Sequence, residues 1–219
     1  MGKEWLGGSK AVLSDSYFCI DIETTGLDEK EGDVLEVYYK FMYKGVKVDE
    51  GHSLFYSPDW YLTNSINRIP FEELQGKPHF ESDDLEVADF KYRLKYYLES
   101  CCSADSDLTL MAQYSSFEVK WLSEKLGMDL SKARVYDTHY VETKLYPKLS
   151  HSLISICKRR GIRPPNGVDF HRAYMDVDAM WAVYESQLKD FKKSDFRLYL
   201  EQAYYLLKGY ERKSDRKVV

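Results

Sequence analysis

Hydrophobic positions in the first quarter of the chain follow the pattern of β-strands. The run from Tyr17 to Ile22 is apolar apart from one aspartate, which is typical of a central strand covered on both faces. Two more strands are predicted at 34–43 and 46–56, separated by a hairpin turn at Lys44-Gly45. Residues 57–83 contain three prolines and a glycine, which indicates a loop with short helical pieces.

From about residue 84 the hydrophobic period becomes helical. Apolar side chains fit one face of a helix that ends near residue 100. Beyond it the pattern predicts strands at 108–112 and 134–136, and helices at 117–126, 138–146, 151–160, 171–189 and 194–210. Strands followed by alternating strands and helices indicate an α/β or α+β domain with a mixed sheet.

Length and composition narrow the class of protein. The 219 residues, 44% of them hydrophobic, suit one large domain, or one domain with an appendage, rather than a disordered chain. A net charge of −5 provides no overall basic field for indiscriminate binding of nucleic acid. No apolar run approaches the ~20 residues of a membrane helix, and the four cysteines show no metal-ligand spacing. We therefore expect a reduced, cytoplasmic protein.

Two acidic residues at the end of the first strand are the first candidates for chemistry. Asp21 and Glu23 are two positions apart, so strand alternation points both carboxylates to the same face. An isolated ionised carboxylate inside an apolar strand is costly, and a divalent cation that takes oxygen ligands, Mg²⁺ or Mn²⁺, would offset that cost. The alternative is that the pair merely ends a strand and opens a turn.

A third acid, Glu118, closes the segment Gln113-Tyr-Ser-Ser-Phe-Glu118 at the start of a predicted helix. It shares a helical face with Trp121 and Leu122, which should point toward the sheet. Ser115-Ser-Phe-Glu118 also fits a capping box, in which the glutamate only satisfies a backbone N–H. The local sequence leaves both interpretations open.

The segment His171-Arg-Ala-Tyr-Met-Asp176 opens the last long helix of the predicted domain. Asp176 shares a helical face with apolar Ala179 and Val183 and should face inward, whereas Asp178 belongs to a less buried face. We therefore prefer Asp176 as a candidate metal ligand. His171 lies at or before the helix start, beside the acids, although a lone histidine in such a place is more commonly structural.

The order of the three motifs resembles that of the DEDDh family of 3′-to-5′ exonucleases. This family includes the proofreading subunit of the bacterial replicative polymerase, oligoribonuclease and related DNA- and RNA-trimming enzymes. The resemblance spans roughly residues 16–188 and rests on Asp21-Ile-Glu-Thr-Thr-Gly-Leu27, Gln113–Glu118, His171–Asp176, Asn67–Phe80, Tyr136-Asp-Thr138 and His151–Cys157. In two places the sequence departs from the family: Glu118 stands where the family has aspartate, and Gln113-Tyr114 where it has His-Asn.

The resemblance implies a ribonuclease H-like α/β fold, with a mixed five-stranded sheet flanked by helices. It also implies that Asp21, Glu23, Glu118 and Asp176 hold two divalent metal ions, Mg²⁺ or Mn²⁺, about 4 Å apart. His171 would then act as general base on the attacking water. Because glutamate replaces aspartate at 118 and Mg²⁺ demands near-ideal geometry, we expect Mn²⁺ to be preferred.

The resemblance further implies release of nucleoside 5′-monophosphates from a nucleic-acid 3′ end. Candidates for holding the last nucleotide are Thr24, Thr25, Gly26, Leu27, Ile69 and Phe117. The favoured substrate is single-stranded DNA or a frayed DNA 3′ end. RNA or an oligoribonucleotide is the alternative, since sugar selection depends on whether the pocket accepts a 2′-hydroxyl. A DNA polymerase or other replication protein is a candidate partner, and a catalytically weak nucleic-acid-binding protein is the alternative of a different class.

The C-terminal segment differs from the rest in charge. Residues 189–219 carry a net charge of +4, against −9 for the remaining 188 residues. Because the resemblance ends near residue 188, it implies an exonuclease domain at 1–188, followed by a C-terminal helix with a basic tail at 189–219. Such a tail suits contact with phosphate or an acidic partner, and equally a solvated helix with a frayed end.

Overall fold

A mixed five-stranded sheet forms the centre of the computed structural model, which describes residues 14–163 and 171–193. Its spatial order is β3-β2-β1-β4-β5. Strands β1 to β3 form an antiparallel meander, whereas β4 and β5 run parallel to β1. The predicted mixed sheet is confirmed, and its strands are β1 (Ser16–Thr24), β2 (Val34–Tyr43), β3 (Val46–Leu54), β4 (Leu108–Ala112) and β5 (Val135–Asp137).

The described helices are α1 (Asn64–Asn67), α2 (Phe71–Leu74), α3 (Leu85–Cys102), α4 (Ser116–Leu126), α5 (Thr138–Leu145), α6 (Leu153–Arg160) and α7 (Ala173–Lys193). The two short helices α1 and α2 and a 3₁₀ turn at Trp60–Leu62 occupy the region predicted as loop with helical pieces. Over the described ranges, no helix has the length and apolar character needed to cross a membrane.

Two helices begin two residues later than the sequence predicts. Helix α6 begins at Leu153 rather than at 151, because the Ser152 side chain caps it by accepting a hydrogen bond from the N–H of Ser155 (3.3 Å). Helix α7 begins at Ala173 rather than at 171, and it continues past residue 189 to Lys193. The helix predicted at 194–210 and the rest of the predicted tail lie outside the described residues.

Side chains of β1 alternate between two hydrophobic cores, one on each face of the sheet. Phe18, Ile20 and Ile22 pack with α3 and α4 on one face. Tyr17 and Cys19 pack with α5 and α7 on the other face. Asp21 and Glu23 continue this second series, so both acids face α7.

The carboxyl end of β1 is less enclosed by the sheet than its beginning. The parallel pairing of β1 with β4 covers only Ser16 to Cys19, whereas pairing with β2 continues to Thr24. Helix α4, which follows β4, packs against β1. Side chains from β1, α4 and α7 therefore converge at this end of the strand.

Candidate metal centre

Three carboxylates meet at the carboxyl end of β1. Asp21, Glu23 and Asp176 each offer one oxygen, and these oxygens all lie within 4.8 Å of one another. Strand β1 supplies the first two from a single face, and α7 supplies the third from the helix packed on that face. The structure thus brings three of the four predicted ligands together.

The choice between the two aspartates of α7 follows from the direction of their side chains. Asp176 lies on the side of the helix that carries buried Ala179 and Val183, and it reaches the acids of β1. Asp178 instead forms an ion pair with Lys40 on β2, and its side chain is 40% exposed. The predicted inward orientation of Asp176 is confirmed.

Glu118 lies beside the three acids, in the first turn of α4, and is only 3% exposed. The capping-box interpretation of this residue is wrong. The backbone N–H and the hydroxyl of Ser115 both donate to Oδ2 of Asp137 (2.9 and 2.8 Å), and the Ser115 side chain makes no capping bond. Glu118 is therefore left as a buried acid without its expected local partner.

Burial raises the pKa of all four carboxyl groups, and the charges of nearby acids raise it further. For Asp21 and Glu118, burial is the largest cause, and the charges of neighbouring acids raise the pKa values further. At Glu118 a hydrogen bond from its own backbone N–H opposes the rise without cancelling it. Burial, followed by the charges of Asp176 and Glu36, raises the pKa of Glu23 to about 8. Burial also raises the pKa of Asp176 to about 6, although a hydrogen bond from the His171 backbone lowers it. A divalent cation would favour the ionised form of every group in the cluster.

The donor chemistry fits a hard divalent cation. The cluster offers only carboxylate oxygens, which suit Mg²⁺ or Mn²⁺. In the described part of the chain, Oε2 of Glu118 is buried and has no hydrogen-bond partner. Leaving such an oxygen unsatisfied is costly, and ligation of a cation would satisfy it.

His171 lies two residues before α7, as expected for a residue at the helix entry. Its backbone N–H donates to Oδ1 of Asp176 (3.2 Å). Its φ of 82° lies in the left-handed region, which costs a non-glycine residue about 1–3 kcal/mol. The backbone thus ties this histidine to the acid cluster, while its role as a base remains a prediction.

The turn after β1 is held by its own hydrogen bonds. Thr24 donates from Oγ1 to the carbonyl of Gly26 (2.7 Å). Thr25 donates its N–H to the carbonyl of Asp33 and accepts the N–H of the same residue at Oγ1 (both 2.9 Å). Both threonines are buried, whereas Leu27 is 83% exposed. These hydrogen bonds hold the turn in one conformation, in which the Leu27 side chain is exposed to solvent.

The two remaining candidates for substrate contact differ in exposure. Phe117 is partly buried, with its ring centroid 5.9 Å from that of Trp121. Ile69 is 1% exposed and packs with Leu35 and Leu74 in a small apolar cluster. Ile69 is therefore corrected from a nucleotide-contacting side chain to a core residue, because this cluster already covers it.

Sequence reasoning missed two residues beside the carboxylates, Glu36 and Arg172. Glu36 lies opposite Glu23 in the β1–β2 register and is fully buried. Its carboxylate accepts hydrogen bonds from Arg172 and from the N–H of Ala173, and it contacts Nε2 of His52 at 2.7 Å. Burial raises the pKa of Glu36, but these hydrogen bonds outweigh burial and lower it below its ordinary value. The sequence signal that could have identified Glu36 is an acidic residue within the apolar run of β2.

We predict that the metal-free protein loses stability as the pH rises from about 4.5 to about 8. The pKa values of Glu23 (about 8) and Asp176 (about 6) exceed the ordinary values of 4.5 and 3.8. The folded state therefore holds more protons than the unfolded state across this range, so the free energy of unfolding falls with rising pH. Thermal melts in the presence of a chelator would measure the fall in Tm.

Asp21→Asn tests whether repulsion among the buried carboxylates causes this loss of stability. This change removes one buried charge from the cluster, so its Tm should fall less steeply with pH than that of the wild type. Asp178→Asn is the matched control, because Asp178 lies on the same helix as Asp176 but pairs with Lys40, and it should keep the wild-type slope. Equal slopes for Asp21→Asn and the wild type would contradict a repulsive cluster.

Comparison with known proteins finds relatives among the components of DNA polymerase III. The chain is 28% identical over 203 residues to the PolC-type DNA polymerase III of Halalkalibacterium halodurans, a match covering 87% of this chain and 12% of that protein. It is 25% identical over 190 residues to DNA polymerase III subunit epsilon of Rickettsia prowazekii, covering 82% of this chain and 76% of that protein. No family model matches the sequence.

Among solved structures, the fold is similar to that of E. coli exonuclease I in complex with a dT13 oligonucleotide. The TM-score is 0.58 at 16% identity, over 80% of this chain and 40% of that chain. The chain spans about 12% of the length of the PolC-type polymerases it matches. The protein thus has a ribonuclease H-like fold, and its sequence is similar to the PolC-type and epsilon components of DNA polymerase III.

Proposed function

We propose that this protein is a metal-dependent 3′-to-5′ exonuclease that releases nucleoside 5′-monophosphates from single-stranded DNA or frayed DNA 3′ ends. The observation that carries the proposal is the convergence of Asp21, Glu23 and Asp176 within 4.8 Å, with buried Glu118 beside them. Four acids with raised pKa values at one strand end suit phosphodiester hydrolysis assisted by metal ions. The similarity to DNA polymerase III components and to a DNA-bound exonuclease supports DNA as the substrate.

In this proposal the four acids hold two divalent ions, Mg²⁺ or Mn²⁺. When bound, such ions stabilise charge on the attacking and leaving oxygens of a phosphodiester. His171 accepts a proton from the attacking water, a role that its place at the entry of α7 allows because its backbone is bonded to Asp176. Leu27, on the turn after β1, and Phe117, one residue before Glu118, provide apolar contact for the terminal base.

The direct test is degradation of a 5′-labelled dT oligonucleotide with Mn²⁺ or with Mg²⁺. We expect products shortened one nucleotide at a time from the 3′ end, release of dTMP, and no products with a chelator or with Asp21→Asn. A matched rU oligonucleotide tests the RNA alternative, which faster degradation of rU would favour. Binding without degradation of either strand with either metal would contradict an enzyme and favour a binding protein.

We predict that His171→Ala lowers turnover by about 10²–10⁴-fold, the usual contribution of a general base. Mn²⁺ affinity should stay nearly unchanged, because the bond to Asp176 comes from the backbone N–H and alanine retains it. Turnover of the dT oligonucleotide and titration calorimetry with Mn²⁺ would measure the two quantities. As a control, Asp21→Ala should lose both activity and Mn²⁺ binding. Loss of Mn²⁺ affinity in His171→Ala would assign this histidine a different role.

Glu118 generates a further prediction, because its carboxylate is buried and one of its oxygens has no partner. Glu118→Gln should keep the fold and lower turnover under saturating Mn²⁺ by about 10²-fold or more, as lost charge stabilisation would. Glu118→Asp, the matched variant that keeps the charge, should retain activity and shift the preference from Mn²⁺ toward Mg²⁺. Near-normal turnover of Glu118→Gln would remove Glu118 from the site.

A further inference from the structure

One guanidinium joins three separate elements behind the acid cluster. Arg172, immediately before α7, donates from Nε and Nη2 to the two oxygens of Glu36 on β2 (3.1 and 3.3 Å). It also donates from Nη1 and Nη2 to the two oxygens of Glu73 on α2 (3.3 and 2.7 Å). Its side chain is 14% exposed, that of Glu36 is 0% exposed, and that of Glu73 is 41% exposed. We call these three residues the Arg172 clamp.

Glu36 is close to the metal-site acids but is already engaged. One of its oxygens accepts from Nε of Arg172 and from the N–H of Ala173 (both 3.1 Å). The other accepts from Nη2 of Arg172 and contacts Nε2 of His52. Hydrogen bonds between a buried carboxylate and a guanidinium are among the strong, geometrically specific ones. Glu36 therefore serves as a fixed anchor on β2.

The clamp fixes the backbone on both sides of Arg172. The carbonyl of Arg172 accepts the N–H groups of Met175 and Asp176 (2.9 and 3.0 Å), which makes it part of the first turn of α7. On the other side, Arg172 is bonded directly to His171, whose φ of 82° belongs to a left-handed conformation. A non-glycine residue holds such a conformation when its surroundings determine it.

We propose that Arg172 is a positioning residue, which holds His171 in the orientation needed for catalysis by anchoring the entry of α7 to Glu36 and Glu73. This inference rests on the proposed function. Asp176 has additional support, because α7 is also held against the sheet by buried Ala173, Val177 and Met180. Removing the clamp therefore affects His171 more than it affects the metal ligands.

The test is a double-mutant cycle between Arg172→Ala and His171→Ala, with the dT oligonucleotide and saturating Mn²⁺. In the wild-type background, Arg172→Ala should lower kcat by about 10- to 100-fold, as lost outer-shell support commonly does. KM and Mn²⁺ affinity should change little. In the His171→Ala background, Arg172→Ala should have almost no effect on kcat, because the group it positions is already gone.

Two further variants keep the test decisive. Arg172→Lys retains the charge but cannot bridge two carboxylates with paired hydrogen bonds, and it replaces Arg172→Ala in the cycle if the alanine variant does not fold. Arg160→Ala is the matched control, because Arg160 is also a buried arginine paired with a buried glutamate, Glu142, outside the acid cluster. It should lower Tm while leaving kcat nearly unchanged in the folded protein.

The outcomes separate the inference from the proposed function. An active wild type in which the costs of His171→Ala and Arg172→Ala multiply, or in which Arg172→Ala abolishes Mn²⁺ binding, would overturn the positioning role alone. A wild type that degrades neither DNA nor RNA with either metal would overturn the proposed function and this inference with it. An effect of Arg172→Ala that disappears without His171 supports the inference.

Discussion

Repulsion among buried carboxylates at the carboxyl end of β1 is the constraint on which the rest of the structure depends. Like charges brought within 4.8 Å in a partly buried site oppose the packing of the elements that carry them. Here the acids of β1 are held by a strand packed between two cores, and Asp176 by a helix of 21 residues. The favourable burial of those apolar faces keeps the acids together.

Two kinds of acid therefore coexist at this end of the sheet. Glu36 is fully buried, but hydrogen bonds with Arg172 and His52 stabilise its charge, and its pKa is lowered. Burial and the charges of Asp176 and Glu36 raise the pKa of Glu23, directly across the strand pair, to about 8, and the charge of Arg172 offsets this only in part. The hydrogen-bond partners of these two glutamates therefore determine their roles. Glu36 anchors the backbone, whereas Glu23 is suited to binding a cation.

The sequence predicts those parts of the site that depend on local periodicity. Strand alternation correctly placed Asp21 and Glu23 on one face, and helical spacing correctly turned Asp176, rather than Asp178, toward those acids. The local sequence did not decide between an inward-facing acid and a capping box at Glu118, because the outcome depends on a residue distant in the chain. Asp137 takes the hydrogen bonds of Ser115 that a capping box would need.

The other differences from the sequence prediction also arise from contacts between residues that are distant in the chain. Ile69 belongs to a loop without a hydrophobic period, so nothing local indicated that Leu35 and Leu74 would cover it. The partnership of Arg172 with Glu36 joins residues 136 positions apart. Pairings of this kind arise from the crossing of β2, α2 and α7 in space, and no spacing along the chain encodes them.

Left-handed residues mark the two places where the chain turns into an acid-bearing helix. Tyr114, with φ of 70°, precedes α4 and Glu118, and His171, with φ of 82°, precedes α7 and Asp176. In each case a carboxylate accepts the backbone N–H of the left-handed residue, Asp137 for Tyr114 and Asp176 for His171. Each such conformation costs about 1–3 kcal/mol without glycine, and a hydrogen bond to a charged acceptor offsets a comparable amount. A carboxylate at or next to the site therefore helps to set the direction in which each helix begins. That direction in turn determines where the acidic side chain of the helix, Glu118 or Asp176, points.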